Sequence, residues 1–542
     1  MLKIANGRVY DPANGLEGVL KDVFVERGRV VEPPPQSDEW EVLDAAGLYV
    51  TPGAIDIHTH IAGPKVTSGR ILRPEDHYGH PVPRTGFSRS GTGHTIPTIS
   101  VTGNRYAAMG YTTVFEASIA PLKARHLHEE FHDLPLVDKG CYVLMGNNYF
   151  VMKGVAQGQK ALLQEYTGWL LQAAGGYAIK VVNPGGVEGW KWNSEKVQLD
   201  TPVPPFNVTP RQILLALAEA NEGLGLPHAL HVHANDIGRA GNCTTLLETM
   251  KALEGRRAHF THIQFHSYGI TKKGGFRSGA EPIAGFLNEH PEFTVDVGQV
   301  MFGPATAMTA DSPLQFRLRG LTGNKWSNAD VEMESGSGVV PLVYRRNNLV
   351  NAVQWATGLE LLLLIGDPWR VFITTDHPNG GPFTCYPRVI RLLMEPGFRR
   401  EVLEGLSPRA RRLTSLASLD RAYTFQEVII ATRAGPARAL GLATKGHLGV
   451  GADADVTIYR PQGDVEEMFQ RPAYVLKGGQ VVAREGEAVA GGEGRTLLAG
   501  VNGCERLPGS LRAEFEAYYS VRLDNYPVEP EYIPCREVIA CG

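Results

Sequence analysis

Thr51-Pro-Gly-Ala-Ile-Asp-Ile-His58-Thr-His60 is the stretch on which the fold turns. Ala54 to Ile57 has the texture of a short buried strand, and the Pro-Gly before it marks where the chain enters. Residues two apart in a strand project to the same side, so His58 and His60 can chelate one metal ion. The plain alternative is two histidines on one strand face. The polar loop that follows favours metal, because it puts the pair at a strand end opening onto a mouth.

Working outward, seven more short apolar runs share this texture. They are Thr112–Ala117, Cys141–Met145, Ala178–Val182, Ala229–Val232, His259–Phe265, Thr294–Val297 and Val371–Thr375. Helical stretches fall at Gln157–Ala174, Pro210–Gly223, Thr244–Leu253 and Thr424–Leu440. Eight buried strands alternating with helices predict an α/β fold, a parallel (β/α)8 TIM-like barrel. The chain ends read differently. Leu2–Val9 and Asp22–Val31 alternate apolar and polar, as do Asp455–Tyr459 and Ala473–Val482, with Gly478-Gly479 as a hairpin turn. Both ends are expected to meet in one small β domain.

The expected division is 1–50 and 443–490 for the small β domain, 51–442 for the barrel and 491–542 for a tail. Two long irregular insertions, 61–105 and 304–350, interrupt the barrel. Loops of that length in an enzyme are usually lids or partner surfaces.

Composition narrows the function. Hydrophobic content of 43% with 20% charged residues fits a globular enzyme and excludes disorder as the main state. The balance of 53 Lys+Arg against 57 Asp+Glu, a net −4, argues against nucleic acid as partner. The six cysteines form no C-x-x-C pair, which disfavours an iron–sulfur cluster or zinc ribbon in this chain. Their scatter fits reduced thiols. The N-terminus lacks a signal-peptide core, and Leu359–Ile365, the densest apolar run, is too short to span a bilayer. A cytoplasmic protein without membrane contact is expected.

Further candidates lie on the predicted strands. Lys180 is a charged residue inside Tyr177-Ala-Ile-Lys-Val-Val182. Burial lowers a lysine's pKa, and a neutral amine can add carbon dioxide to give a carbamate suited to bridging two metals. The alternative is a lysine snorkelling from a strand end. His231 and His233 repeat the His-x-His pattern. His259, His262 and His266 follow, and Asp376 ends the run Val371–Asp376. Each histidine alone could equally be a hydrogen-bonded core residue. Together, His58/His60, Lys180, His233, His262 and Asp376 sit at the ends of predicted strands one, four, five, six and eight, where barrel catalysis is assembled. His128-Glu-Glu-Phe-His132 matches H-E-x-x-H, but the segment is short and charged and has no third ligand in view, so a solvated helix face is expected. There is no G-x-S-x-G elbow and no G-x-x-x-x-G-K-[ST] loop.

The order His58/His60, Lys180, His233, His262, Asp376 resembles the amidohydrolase superfamily, particularly its binuclear zinc branch with a carboxylated lysine. Lys445-Gly-His-Leu-Gly-Val-Gly-Ala-Asp-Ala-Asp455 resembles that superfamily's return into its small β domain. Val232-His-Ala-Asn235 is similar to the V-H-A-E segment of cyclic-amide hydrolases and favours His233 over His231 as ligand. Asn235-Asp-Ile-Gly, Thr261-His-Ile-Gln-Phe265 and Thr375-Asp-His-Pro-Asn-Gly-Gly-Pro-Phe383 resemble the family of formylmethanofuran dehydrogenase A subunits. Its bacterial members belong to formyltransferase/hydrolase complexes.

The resemblance implies two zinc ions held by His58, His60, Lys180, His233, His262 and Asp376, with Lys180 as N6-carboxylysine. Asp376, Lys180 and His233 are implied as the catalytic residues, with His231 or His266 orienting such groups. The implied reaction cleaves the formyl amide of N-formylmethanofuran, or of an analogous carrier, to formate and amine, within a one-carbon-metabolism complex of several subunits. The competing readings are a dihydropyrimidinase- or hydantoinase-like cyclic-amide hydrolase and a non-catalytic scaffold subunit. An acidic carrier tail would call for a basic approach, for which Arg70, Arg73, Arg84, Arg89, Arg105, Arg345 and Arg346 are candidates.

Overall fold

The computed structural model describes residues 1–33, 40–194, 196–328, 338–507 and 509–542. Eight parallel strands form the barrel. They are β1 (Ala54–Thr59), β2 (Tyr111–Ile119), β3 (Asp138–Leu144), β4 (Ala178–Val182), β5 (Leu230–His233), β6 (Ala258–Phe260), β7 (Phe293–Asp296) and β8 (Val371–Phe372). Each pairs in parallel with the next. The ring closes at a single parallel bridge between Thr59 and His377, where His60 N–H donates to His377 O at 2.7 Å. Every residue of β1, β2, β3, β4 and β5 is buried, which is why these strands read as apolar runs rather than as alternation.

Strand six is shorter than expected. It stops at Phe260, and the chain turns through His262 with φ 37° into a 3-10 turn over Ile263–His266. Strand eight likewise stops at Phe372, short of the expected Thr375. The helix expected over Gln157–Ala174 forms as Lys160–Ala173, and Gly158 at φ 64° separates it from a preceding helix over Tyr149–Ala156 that was not expected. Pro210–Gly223 forms as read, started by a capping box between Thr209 and Gln212. The stretch from Phe425 to Leu440 is helical throughout but passes through a π-helical turn at Ile430–Ala434, just before Pro436, which has no N–H to donate.

A seven-stranded sheet joins the two chain ends. Arg8–Asp11, Leu16–Leu20 and Tyr49–Pro52 come from the N-terminal side; Val456–Tyr459, Tyr474–Lys477, Gln480–Arg484 and Glu487–Ala488 come from the C-terminal side. The join is Tyr49–Pro52 against Val456–Tyr459, antiparallel. Tyr49–Pro52 leads directly into β1, so this sheet fixes where the first histidine pair enters the barrel.

A buried charge cluster ties this sheet to the barrel. Lys445 Nζ lies 2.6 Å from Asp138 and 2.9 Å from both Asp453 and Asp455. Lys477, Arg495 and the partly exposed Arg29 complete it, so three carboxylates meet four cations. The three aspartates lie close enough together to suit a metal ion, but the Lys445 ammonium occupies that role.

The insertions are more regular than their composition suggested. The first carries helices Pro64–Leu72, Pro74–Tyr78 and Ile99–Ala108. The second is an antiparallel hairpin, Gly303–Thr309 against Gly338–Tyr344, with helix Ser312–Thr322 between its strands; residues 329–337 of that insertion lie outside the described residues. Buried Arg73 joins the two insertions by donating to Ala305 O at 2.7 Å. The tail adds strands Thr496–Gly500 and Arg536–Ala540 beside β3. Among the described residues no helix is long and apolar enough to cross a membrane.

Candidate metal centre

The barrel brings the six candidate ligands to one end. His58 and His60 stand at the end of β1, Lys180 lies in β4, His233 ends β5, and His262 and Asp376 follow β6 and β8. All six are buried. His58 Nε2 lies 3.0 Å and His60 Nε2 3.3 Å from Asp376 Oδ1. These three form one set of donor atoms within 4.8 Å of one another, and His233, His262 and His266 form another. The sets abut, with ring centroids 5.2 Å apart for His58–His262 and 4.6 Å for His233–His262.

Local backbone explains how strand ends deliver these groups. His262 and Asp376 both adopt left-handed backbone, φ 37° and 48°. Such conformations are costly outside glycine and recur at functional sites. Gly298 makes room for them: a Cβ there would stand 2.5 Å from His262 Cβ and 3.3 Å from Asp376 Cβ. Asn379 steadies Asp376 by donating to its Oδ1 at 2.9 Å.

Lys180 is the common electrostatic neighbour. Its charge disfavours protonation of His58, His231, His233, His262 and His266, all of which burial already holds below the usual histidine range. Burial brings the lysine itself down to about 7, against the opposing pull of Asp296 and Asp376. Burial pushes Asp376 above the usual carboxylate range.

The donor set passes a test of fit for divalent cations. Lys180 Nζ, His262 Nδ1 and both ring nitrogens of His266 are buried without a hydrogen-bond partner. His233 Nε2 has only Asp311 Oδ2, at 3.5 Å. Orphaned polar atoms of this kind are rare in folded proteins and call for an explanation. Neutral imidazoles with carboxylates are suitable ligands for zinc.

Three carboxylates that the sequence pattern did not single out support the ligands. Glu116 on β2 accepts from His60 Nδ1 at 2.9 Å and from the backbone N–H of Ile61 at 2.7 Å. Burial opposes its ionisation, but Lys65 and His60 override this and hold it at about 2. Asp296 on β7 accepts from His262 N–H and His259 Nε2, each at 3.0 Å. Asp311 faces His233. The signal for Glu116 and Asp296 was present: a carboxylate inside an apolar strand, the same signal that marked Lys180. Asn235, where cyclic-amide hydrolases carry Glu, donates to Asn183 Oδ1 at 2.8 Å, which a carboxylate could not do.

The H-E-x-x-H segment takes a different part. His128 is buried on helix Ala124–His132, donates from Nε2 to Ala174 O at 3.0 Å and stands apart from both ligand sets; His132 is exposed. Of the seven arginines considered for a basic approach, Arg345 lines the cavity that leads to Asp376. Arg70 is held by Glu130, Arg105 by Gly93 O, and Arg89 by Asp133. Arg317, not among the seven, lines the same cavity.

That cavity, about 680 Å³, opens between the hairpin and helix Ser312–Thr322 and ends at Asp376 and Asn379. A model of the amidohydrolase family matches residues 41–483. The chain belongs to the amidohydrolase family. Within it, protein FwdA of Methanocaldococcus jannaschii is 46% identical over 559 residues, covering 99% of this chain and 98% of the relative. FhcA, a component of the formyltransferase/hydrolase complex Fhc of Methylorubrum extorquens, is 38% identical over 560 residues, covering 100% of both. The crystal structure of the formyltransferase/hydrolase complex FhcABCD from Methylorubrum extorquens with methylofuran contains a chain similar to this one. It superposes with a TM-score of 0.93 at 37% identity, covering 100% of each chain. Amidohydrolase-family membership therefore extends to full-length likeness with FwdA and FhcA.

Proposed function

We propose that this chain is a binuclear zinc amidohydrolase that cleaves the formyl amide of N-formylmethanofuran, or of a similar carrier, to formate and free amine. We further infer that it works as one subunit of a formylmethanofuran dehydrogenase or formyltransferase/hydrolase complex. The observation that carries the reading is Lys180: a buried, unpartnered amine whose charge bears on His58 of one donor set and on His233 and His262 of the other. Full-length likeness to FwdA and FhcA, and to a chain of the FhcABCD complex solved with methylofuran, supports the substrate class and the partners.

His58, His60 and Asp376 would hold one ion and His233 and His262 the other, with Lys180 as a carbamate shared between them. His266, unpartnered beside His233, completes the second set. Bound cations supply Lewis-acid polarisation of the formyl oxygen and an acidified water.

The chain's own residues do the rest. Asp376, whose carboxylate burial has made more basic, takes a proton from the attacking water and returns it to the amine nitrogen as the C–N bond breaks. One water is consumed, the formyl carbon leaves as formate, and the nitrogen leaves as the amine. Glu116 and Asp296 accept N–H bonds that orient His60 and the His262 backbone. The cavity suits a carrier with an apolar body and anionic parts: Phe265, Phe276, Leu314 and Leu318 line it together with Arg317 and Arg345.

The test is formate release from the formylated carrier by the intact complex, with zinc measured on the same sample. Stoichiometric formate and two zinc per chain are expected. Turnover of dihydropyrimidines in place of the formyl amide would establish the cyclic-amide reading. A zinc-free chain in a fully active complex would leave it as a scaffold.

A further inference from the structure

Below the candidate ligands, the barrel interior holds a file of three imidazoles. His58 Nδ1 lies 2.9 Å from His231 Nε2, and His231 Nδ1 lies 3.0 Å from His228 Nε2. His228 Nδ1 then lies 2.7 Å from Ala439 O. All three rings are fully buried. Tyr142 packs against two of them, with centroids 4.5 Å from His231 and 5.5 Å from His228, and its hydroxyl is tied to Ile57 O at 2.8 Å. Ala439 belongs to helix Gly435–Leu440, so the file runs from the site to a backbone carbonyl at the barrel floor.

That carbonyl gives the file a direction. A carbonyl oxygen only accepts, and a neutral imidazole carries one N–H. The His228 proton therefore sits on Nδ1, and its bare Nε2 accepts from His231 Nδ1. His231 Nε2 is then bare and accepts from His58 Nδ1. The order leaves His58 Nε2 with a free lone pair, and Nε2 is the atom that faces Asp376. Asp296 Oδ2, 3.7 Å from His58 Nδ1, also favours a proton there. The Thr261 hydroxyl contacts the same nitrogen and can accept from it.

We propose that His228 and His231 are positioning residues that fix the tautomer of His58, transmitting the acceptor character of the Ala439 carbonyl through two rings to the metal-facing nitrogen. This rests on the reading of His58 as a metal ligand. Neither residue is among the six candidate ligands.

The experiment compares the full-length wild-type chain with His228→Leu and His228→Gln. Leucine removes the acceptor for His231 Nδ1–H. The tautomer of His231 protonated at Nε2 then becomes available, reverses its bond to His58 and places a proton on the ligand atom. Glutamine retains an acceptor oxygen for His231 and an N–H for Ala439. Zinc affinity is read by chelator competition. His228→Leu is expected to lose about 10–100-fold, the usual cost of losing an outer partner of a ligand, and His228→Gln to keep most of the wild-type affinity.

The second readout is 15N spectroscopy of labelled histidine in the metal-free chain. It should show His58 protonated at Nδ1 in the wild type and in His228→Gln, and mixed in His228→Leu. Wild-type zinc affinity in His228→Leu, or a His58 protonated at Nε2 in the wild type, overturns the proposal. A wild-type chain that binds no zinc defeats the ligand reading instead, and the nitrogen spectrum still decides the tautomer order by itself.

Discussion

His60 Nδ1 lies 2.9 Å from Glu116 Oε1, and the same carboxylate is held by Lys65 from the first insertion, 2.9 Å away. One contact thus links a barrel strand, a candidate ligand and a helix that the sequence presented as an irregular loop. The Lys65 ammonium also donates to Ser118 O and Oγ, so all three of its protons are used.

Glu116→Gln should therefore weaken zinc binding without unfolding the chain. The amide keeps an oxygen for Ile61 N–H but loses the charge that orients His60 and pairs with Lys65. A loss of about 10–100-fold in zinc affinity is expected, measured by chelator competition. An unchanged affinity would show that His60 needs no anionic partner.

A second expectation concerns His128 and His132. Substituting both together, for example by Gln, should leave zinc content unchanged, because Nε2 of His128 is committed to Ala174 O and His132 faces solvent. Elemental analysis of the purified double variant checks this. Losing one zinc equivalent would show that the H-E-x-x-H segment binds metal.

Much of the site was visible in the sequence, for a physical reason. A buried parallel strand is apolar on both faces, so a charged residue or histidine within it stands out, and strand ends in a barrel converge. That logic placed Lys180 in a strand, Ala178–Val182, whose bounds match the structure. The same logic applied to Glu116 and Asp296 would have found their supporting roles. What local pattern does not carry is the αL turn at His262, which depends on Gly298 from the neighbouring strand end. The insertion helices were hidden by Gly and Pro, yet Pro64 and Pro74 each open a helix, where proline's missing N–H is no loss.

The insertions should be covered in the assembled complex. Ile71, Tyr78 and Leu321, from both insertions, are 73%, 92% and 76% exposed in the single chain. Large apolar groups so exposed suit a partner surface. Hydrogen exchange across 61–105 and 304–350 should slow when the partner subunits bind. Unchanged exchange in the complex would place the partners elsewhere.

The cluster around Lys445 predicts a stability dependence on pH. Burial opposes ionisation of Asp138 and Asp455, but Lys445 and Lys477 outweigh it: Asp455 titrates at about 2 and Asp138 well below the usual range. Both folded values lie below the unfolded value of about 3.9, so the cluster's contribution is complete above pH ~4 and fades as pH falls toward ~2. Lys445→Met removes the cation that touches all three aspartates and should cost about 3–5 kcal/mol. Thermal denaturation at pH 7 should show a clear fall in Tm, and the gap between variant and wild type should narrow in acid. An equal gap at both pH values would mean that packing, not charge, is what the substitution disturbs.

Lys180 offers the most direct test of the centre. An ammonium beside two dications would be repelled by several kcal/mol at an effective dielectric near ~20. Burial already brings this amine to about 7, so a neutral fraction is present at cellular pH. Adding carbon dioxide to that neutral amine would release a proton and give an anion whose two oxygens could serve as ligands. Lys180→Ala should then lose both the shared ligand and the second ion. Losing about 3 kcal/mol of transition-state stabilisation is roughly a hundredfold in kcat, and at least that is expected. A short carboxylate such as acetate, added to the variant, should restore a measurable fraction of both zinc and activity, because it can enter the space the side chain leaves. Rescue by acetate but not by an isosteric neutral amide would identify the missing element as an anion. A high-resolution map with both ions present and a bare amine at Lys180 would refute carboxylation directly.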